Sequence, residues 1–403
     1  MTGLPGNPSQ VRDADAAVLA AALEACREDT LSTFGVIERS PAHLTVPQRE
    51  TLNPPLWELG HVGWFQEFWI ARNAQCRMGT AADPAAPRSI GVRPQADVLY
   101  DSSHVPHATR WSLPLPDADA TRRDLASQLE GTLERLRNAG DDDASLYFFR
   151  LALLHEDMHH EAALYMAQSL GVAIDDARWQ EESLDDPCRQ LAFDAGPWAL
   201  GNSGPGFAFD NELAGHCLAL PGTHIDSRVT RWAEFLPFVE SGGYLQPQWW
   251  SEAGAAWMAT ERPVAPRYLR RDGDDWQQWR HGQWRALNPT HAACHLTAFE
   301  ADAWCCWAGR RLPTEAEWER AAVERPADFD WGPVWEWTAS PFLPYPGFVP
   351  HPYRDYSAPW FGSRQVLRGA AFMTQPRLRH PRYRNFFMAP RNDVPAGFRS
   401  CRL

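Results

Sequence analysis

Apolar residues recur at Leu154, Met158, Ala162 and Tyr165 within Leu151–Gln168, the period of an α-helix. The pattern predicts a helix over about Ala144–Leu170 that stops at Gly171. Similar runs predict helices over about Asp13–Ser40, Leu56–Met78 and Ala118–Asn138, the last opened by Pro116-Asp117. Four such helices read as a bundle. A long loop, Gly79–Pro116, separates the second from the third, and its aromatic residues argue against disorder. Past about residue 175 the helical rhythm gives way to short strand-like pieces between Pro- and Gly-rich turns. Two helices stand out there, Leu296–Ala308 and Thr314–Glu324, the latter with Glu317 placed for a capping box. Fifteen of the 20 tryptophans follow residue 190, so this half reads as an α+β domain held by aromatic packing, most of its tryptophans being core.

Composition narrows the chemistry. A chain of 403 residues suits two or three domains. A net charge of −13 argues against nucleic acid or an anionic membrane surface as partner. No run approaches the roughly 18 apolar residues of a membrane span. Acidic Asp13 and Asp15 stand where a secretory leader would be basic, so a cytoplasmic location is expected. All 38 basic residues are arginine, which excludes a lysine Schiff base, a pyridoxal-phosphate anchor and a P-loop lysine. The eight cysteines form no CxxC pair or zinc-finger spacing and read as free thiols.

Within the Leu151–Gln168 helix, His155 and His159 are four apart and share a face, so both imidazoles can reach one metal ion. His61 sits in a second apolar, aromatic helix, in Leu56-Trp57-Glu58-Leu59-Gly60-His61-Val62-Gly63-Trp64-Phe65. Three histidines with open positions suit a catalytic metal. The same letters spell HExxH, in which Glu156 would be the general base of a zinc protease, but no histidine follows His160 until His216. Zinc proteolysis stays open as a minor alternative, as does a lectin-like binding module with a structural metal.

The second half carries an ordered motif series: Gly309-Arg310-Arg311-Leu312-Pro313-Thr314-Glu315-Ala316-Glu317-Trp318-Glu319, Val334-Trp335-Glu336-Trp337-Thr338, Val366-Leu367-Arg368-Gly369-Ala370 and Gly397-Phe398-Arg399. It resembles the formylglycine-generating-enzyme domain, a variant of the C-type-lectin fold. After Cys306 only Cys401 remains, so the late cysteine pair of the true formylglycine-generating enzymes is missing and that activity is rejected. The first half looks like a DinB-type four-helix bundle whose three histidines hold one metal. The expected architecture is thus a DinB-like bundle at 13–172, a linker at 173–189 and a formylglycine-generating-enzyme-like domain at 190–403.

This fusion resembles the non-heme iron sulfoxide synthases of ergothioneine biosynthesis, whose HxxxHxE motif and upstream histidine are matched by His155, His159, Glu161 and His61. The resemblance implies ferrous iron, dioxygen as co-substrate, and joining of a chalcogen donor to C2 of the imidazole of hercynine. It implies iron on His61, His155 and His159, with Glu161 orienting an imidazole without itself binding the metal. Arg384-Asn385 matches the family's Arg-Asn pair, which puts Asn385 on the trimethylammonium group, with Phe386 as an aromatic face and Phe387 where an aspartate would pair an amine. Met158 stands where members that use γ-glutamylcysteine have glutamine. The catalytic tyrosine falls in Ser340–Pro359, with Tyr353 the first choice and Tyr356 the second. The loop Leu99–Trp111 lacks the arginine-rich pattern that holds two carboxylates and looks like that of selenoneine synthases, with Ser102, Ser103 and Arg110 expected to contact a selenosugar. Selenoneine synthesis is preferred, and sulfoxide synthesis from cysteine, γ-glutamylcysteine or a thiosugar is the alternative.

Overall fold

The computed structural model describes residues 11–41 and 43–403. Four long helices occupy the first half: α1 (Ala16–Arg39), α2 (Pro55–Trp69), α3 (Ala118–Arg137) and α4 (Asp143–Leu170). Aspartates cap three of them: Asp15 accepts from Val18 N, Asp117 from Ala120 N and Asp142 from Ser145 N. Gly171, in the left-handed region at φ 72°, ends α4. Helix α4 packs on α1 and α2, and α3 closes the bundle against α2. Leu146, Phe148, Leu153 and Leu154 of α4 are fully buried in its core.

Helix α2 is shorter than its apolar pattern predicts. Asn73 ends it: its Nδ2 donates to Trp69 O at 3.1 Å and its Oδ1 accepts from Gln75 N at 2.9 Å, competing with the helical ladder. The long loop is ordered and contains a one-turn helix, Ala96–Tyr100. Trp57 Nε1 donates to Leu99 O at 2.8 Å. A Cβ on Gly60 would overlap the Tyr100 ring, so glycine beside His61 is what lets this loop lie on α2.

Residues 173–189 pass between the halves in close packing, with Ile174 and Trp179 buried against Leu164, Val229 and Phe372. The second half starts with β1 (Gln190–Phe193), β2 (Gly196–Leu200), β3 (His216–Leu220) and β4 (Thr223–Asp226). Helices α5 (Trp232–Glu240) and α6 (Glu252–Glu261), not read from the sequence, precede a three-stranded meander of β5 (Leu269–Asp272), β6 (Asp275–Arg280) and β7 (Gln283–Ala286). After these come α7 (Ala298–Trp307), β8 (Arg310–Arg311), α8 (Glu315–Glu324), β9 (Trp335–Pro341), β10 (Gln365–Gly369), β11 (Asn385–Phe387), β12 (Ala396–Gly397) and β13 (Cys401–Arg402).

The sheet that matters for the site is β11-β10-β9-β12. Leu367 pairs with Asn385 on one side and Trp337 on the other. The motif series builds its frame through buried ion pairs. Glu315 of α8 receives Arg384 Nε at 2.9 Å and Arg368 Nη2 at 2.9 Å, and Arg399 reaches Glu336 at 2.5 Å. Arg384 therefore fixes the strand that carries Asn385 and does not itself face the cavity described below.

Candidate metal centre and adjoining cavity

Helix α4 is the seam of the molecule, and each polar residue of its histidine run points to a different neighbour. His155 and His159 face His61 of α2, with ring centroids 4.5 Å apart within the pair and 5.2 and 4.8 Å from His61. One ligand atom from each of the three lies within 4.8 Å of the others. Glu156 points into the bundle, where Arg27 grips both its oxygens at 2.8 and 2.9 Å. Asp157 and Glu161 cross to the second half: Arg377 grips Asp157 at 2.6 and 2.8 Å, and Glu161 Oε1 accepts from Trp335 Nε1 at 2.6 Å and Thr374 Oγ1 at 3.1 Å. His160 takes Thr33 Oγ1 at 2.9 Å and packs on Trp179.

Two of the three imidazoles have their outer nitrogen assigned by a partner. His61 Nδ1 donates to the Tyr100 carbonyl at 2.8 Å, and His159 Nδ1 donates to Glu58. Each arrangement leaves Nε2 with its lone pair for a metal. Burial alone would raise the Glu58 carboxyl, but His159, then His61 and Arg110, hold it down at about 2, so it accepts as a carboxylate. Burial drives His61 down to about 3 and lowers His155 as well, so both rings are neutral ligands at neutral pH. His155 Nδ1 is buried without a hydrogen-bond partner, and the ring is set by packing, parallel to Phe65 at 3.5 Å. Among the described residues no fourth histidine, cysteine or carboxylate joins the three, and such a set suits a ferrous or similar borderline ion better than a closed structural zinc site.

Two expectations fail here. Glu161 does not orient an imidazole: its buried carboxyl, pushed up to about 7 by desolvation, is engaged with Trp335 and Thr374. Glu58 and the Tyr100 carbonyl perform that task. Glu58 lies three residues before His61 in sequence yet bonds His159 across the helix pair, a contact that spacing along one helix does not reveal. Nor is Glu156 a metal-side base, since it is 2% exposed and tied to Arg27. The HExxH reading is thereby excluded.

Beside the centre lies a cavity of about 240 Å³ between α4 and the β9–β11 face. Met158, His159, Glu161, Tyr165, Trp335, Tyr356, Tyr383 and Asn385–Phe387 line it. From the sequence, Met158, Tyr356 and Asn385–Phe387 belong to a substrate site, whereas Tyr165 reads as helix core and Trp335 as structural motif, and Tyr383 is not singled out. Phe386 stacks on Phe342 at 4.0 Å, and the Arg391 guanidinium lies 5.0 Å over Phe387. Tyr353 stands on the metal side, edge-on to Phe65 at 4.9 Å and 6.0 Å from the His155 ring. Tyr356 donates to Tyr383 Oη at 3.1 Å, and Tyr383 in turn donates to Met158 Sδ at 3.3 Å.

Ser102, Ser103 and Arg110 do not wall this cavity. Ser103 is exposed and donates to Asp355 at 2.5 Å, in the segment that carries Tyr353, and Ser102 is exposed beside it. Arg110 lies 3.8 Å over the Trp57 ring and bonds Asn53, which in turn bonds Glu58.

With this geometry in view, relatives decide the family. Over 439 aligned residues the chain is 30% identical to the hercynine oxygenase of Mycolicibacterium smegmatis, covering 94% of this chain and 97% of that one. The chain belongs to the hercynine oxygenase family. A second member, from Mycolicibacterium thermoresistibile, is 29% identical over 91% of each chain. Residues 22–167 match the DinB superfamily and residues 180–333 the sulfatase-modifying factor enzyme 1-like domain. The formylglycine-generating enzyme of Bos taurus is 30% identical over 33% of this chain and 39% of its own. The protein is therefore an enzyme, and these hercynine oxygenase relatives align with more than nine-tenths of its length. Among the described residues no helix is long and apolar enough to cross a membrane.

Proposed function

We propose that this protein is a non-heme Fe(II)- and dioxygen-dependent synthase that joins a selenosugar to C2 of hercynine. The observation that carries it is the three-histidine centre opening beside an aromatic cavity, in a chain of the hercynine oxygenase family. When bound to His61, His155 and His159, ferrous iron supplies oxygen activation. Joining C2–H and Se–H releases two protons and two electrons, and oxidation of the joined selenium to the selenoxide supplies two further electrons, so one dioxygen is consumed with one oxygen atom in the selenoxide and the other in water.

The residues divide the remaining work. Glu58 and the Tyr100 carbonyl keep two imidazoles in the ligand tautomer. Tyr165, Trp335, Tyr383 and Phe386 give a quaternary ammonium several ring faces, and Asn385 stands at the same wall. Tyr353, beside His155, is favoured as proton donor because Tyr356 already commits its hydroxyl to Tyr383.

A neutral donor is favoured by charge. Glu161 is the sole acidic or basic side chain other than His159 among those lining the cavity, and no arginine is there. A γ-glutamylcysteine donor would leave its two carboxylates unpaired, at a cost on the order of 1–3 kcal/mol or more for each. The cluster of Asp101, Ser103, His104 and Asp355, joined to the segment that carries Tyr353 and Tyr356, offers hydroxyl, imidazole and carboxylate partners that suit sugar hydroxyls.

The test is an anaerobically iron-loaded enzyme given hercynine, dioxygen and, in turn, a selenosugar, a thiosugar, cysteine and γ-glutamylcysteine. Hercynine should be consumed only with iron and oxygen present, and fastest with the selenosugar. Asn385→Ala should raise the KM for hercynine far more than it changes iron affinity. Hercynine left intact with every donor would refute the reading.

A further inference from the structure

The segment His351–Ser357, which carries both candidate tyrosines, has little regular structure of its own beyond a short 3-10 turn at Arg354–Tyr356. It is held from outside. Ser357, fully buried, donates its hydroxyl to Asp210 Oδ1 at 2.5 Å, and the His351 backbone N–H lies 3.4 Å from Asp210 Oδ2. Phe209, the residue before Asp210, stacks on the Tyr356 ring at 4.4 Å. The residue after, Asn211, gives its carbonyl to Arg384 Nη1 at 2.8 Å, directly before Asn385. One short turn, Asp210–Glu212, thus braces the tyrosine segment on one side and the Asn385 strand on the other.

We infer that Asp210 is a positioning residue for the reaction: its carboxylate fixes the His351–Ser357 segment so that the catalytic tyrosine, Tyr353, is held beside His155. This rests on the function proposed above. Asp210 itself touches neither the cavity nor the histidines, and is 2% exposed.

The chemistry of the brace makes it sensitive to protonation. Both Asp210 oxygens accept when the group is ionised, and a proton on either oxygen removes an acceptor from the segment. Burial pushes the Asp210 carboxyl up to about 6, with the Ser357 hydroxyl and the His351 and Asn211 amides pulling against it and Glu212 adding repulsion. Glu212 is itself paired with Arg12. The other titratable groups facing this spot are Tyr147 of α4, which bonds the His351 ring at 2.9 Å, and His351 and Tyr356 of the segment. Burial keeps His351 neutral, down at about 4, and raises the phenols of Tyr147 and Tyr356, so Asp210 is the member of this group that changes charge near pH 6.

The test compares wild type with Asp210→Asn and Ser357→Ala, each first checked for an intact thermal transition. Backbone hydrogen exchange across 351–357, measured on metal-free protein, should rise in both variants. In turnover, kcat should fall by about tenfold or more, with the KM for hercynine nearly unchanged, because misplacing a catalytic group acts on the chemical step. The wild-type kcat should drop as pH falls through about 6, and this inflection should be absent in Asp210→Asn. Unchanged exchange across 351–357, or kcat and KM moving together, or an inflection that persists in Asp210→Asn, would overturn the assignment. A wild type that leaves hercynine untouched would instead overturn the proposed reaction, while the exchange comparison still decides whether Asp210 holds the segment.

Discussion

The indole N–H of Trp335 donates to Glu161 Oε1 at 2.6 Å, so the final residue of the His-x-x-x-His-x-Glu run is anchored in the opposite half of the molecule. The pair registers α4 against β9, and with it the histidines against the cavity. Trp335→Phe keeps an aromatic ring but leaves the buried carboxyl one donor short, a loss on the order of 1–3 kcal/mol. Denaturant unfolding should show that loss, while Fe(II) affinity stays within a few-fold of wild type. A large loss of iron affinity instead would mean that Glu161 does act on an imidazole.

Removing a ligand and removing its support should give graded effects. His155→Ala should abolish binding of one equivalent of Fe(II) in an anaerobic titration while circular dichroism shows the helices intact. Glu58→Gln, which keeps the shape but weakens the acceptor for His159 Nδ1, should lower affinity by roughly 10–100-fold. Full iron occupancy in His155→Ala would remove that residue from the centre.

Much of this centre was legible in the sequence because it rests on local helical geometry. His155 and His159 share a face by spacing alone, and Asp15, Asp117 and Asp142 are short-range caps. What escaped depends on contacts between distant segments. Glu58 meets His159 across 101 positions and Glu161 meets Trp335 across 174, and no periodicity encodes either. The end of α2 was missed because Asn73 competes through its side chain, a local signal hidden inside an apolar run. Helices α5 and α6 were missed because they are short, and α5 carries Pro237 within it.

The Arg377–Asp157 pair joins the halves inside the structure, with Asp157 fully buried. Arg377→Met strands that carboxylate and should cost about 3–5 kcal/mol, seen as a clear fall in Tm. Arg178→Ala removes a half-exposed partner of Asp29 and should cost less than about 1 kcal/mol. Equal effects would show that the buried pair is not what holds α4 to the second half.

His295 supplies a pH test remote from the centre. It is fully buried, and burial, followed by Arg280, lowers it to about 3. In the unfolded chain the ring takes a proton below about 6.5. Between those values the unfolded state binds more protons, so stability is full above 6.5 and is lost as pH falls toward 3. Asn tolerates the left-handed backbone at φ 61° and carries no such proton. Stability should therefore drop less between pH 7 and pH 4.5 in His295→Asn than in wild type, by roughly 2 kcal/mol. Parallel pH profiles would contradict the assignment.

The most direct test of the account is a competition in one vessel: iron-loaded enzyme, dioxygen, hercynine, and equal concentrations of selenosugar and γ-glutamylcysteine, with products resolved by mass spectrometry. The arginine-free cavity predicts that the product joined through selenium to C2 of hercynine dominates, with the higher kcat/KM for the selenosugar. A higher kcat/KM for the peptide would contradict the donor assignment and make sulfur the atom this enzyme couples to hercynine.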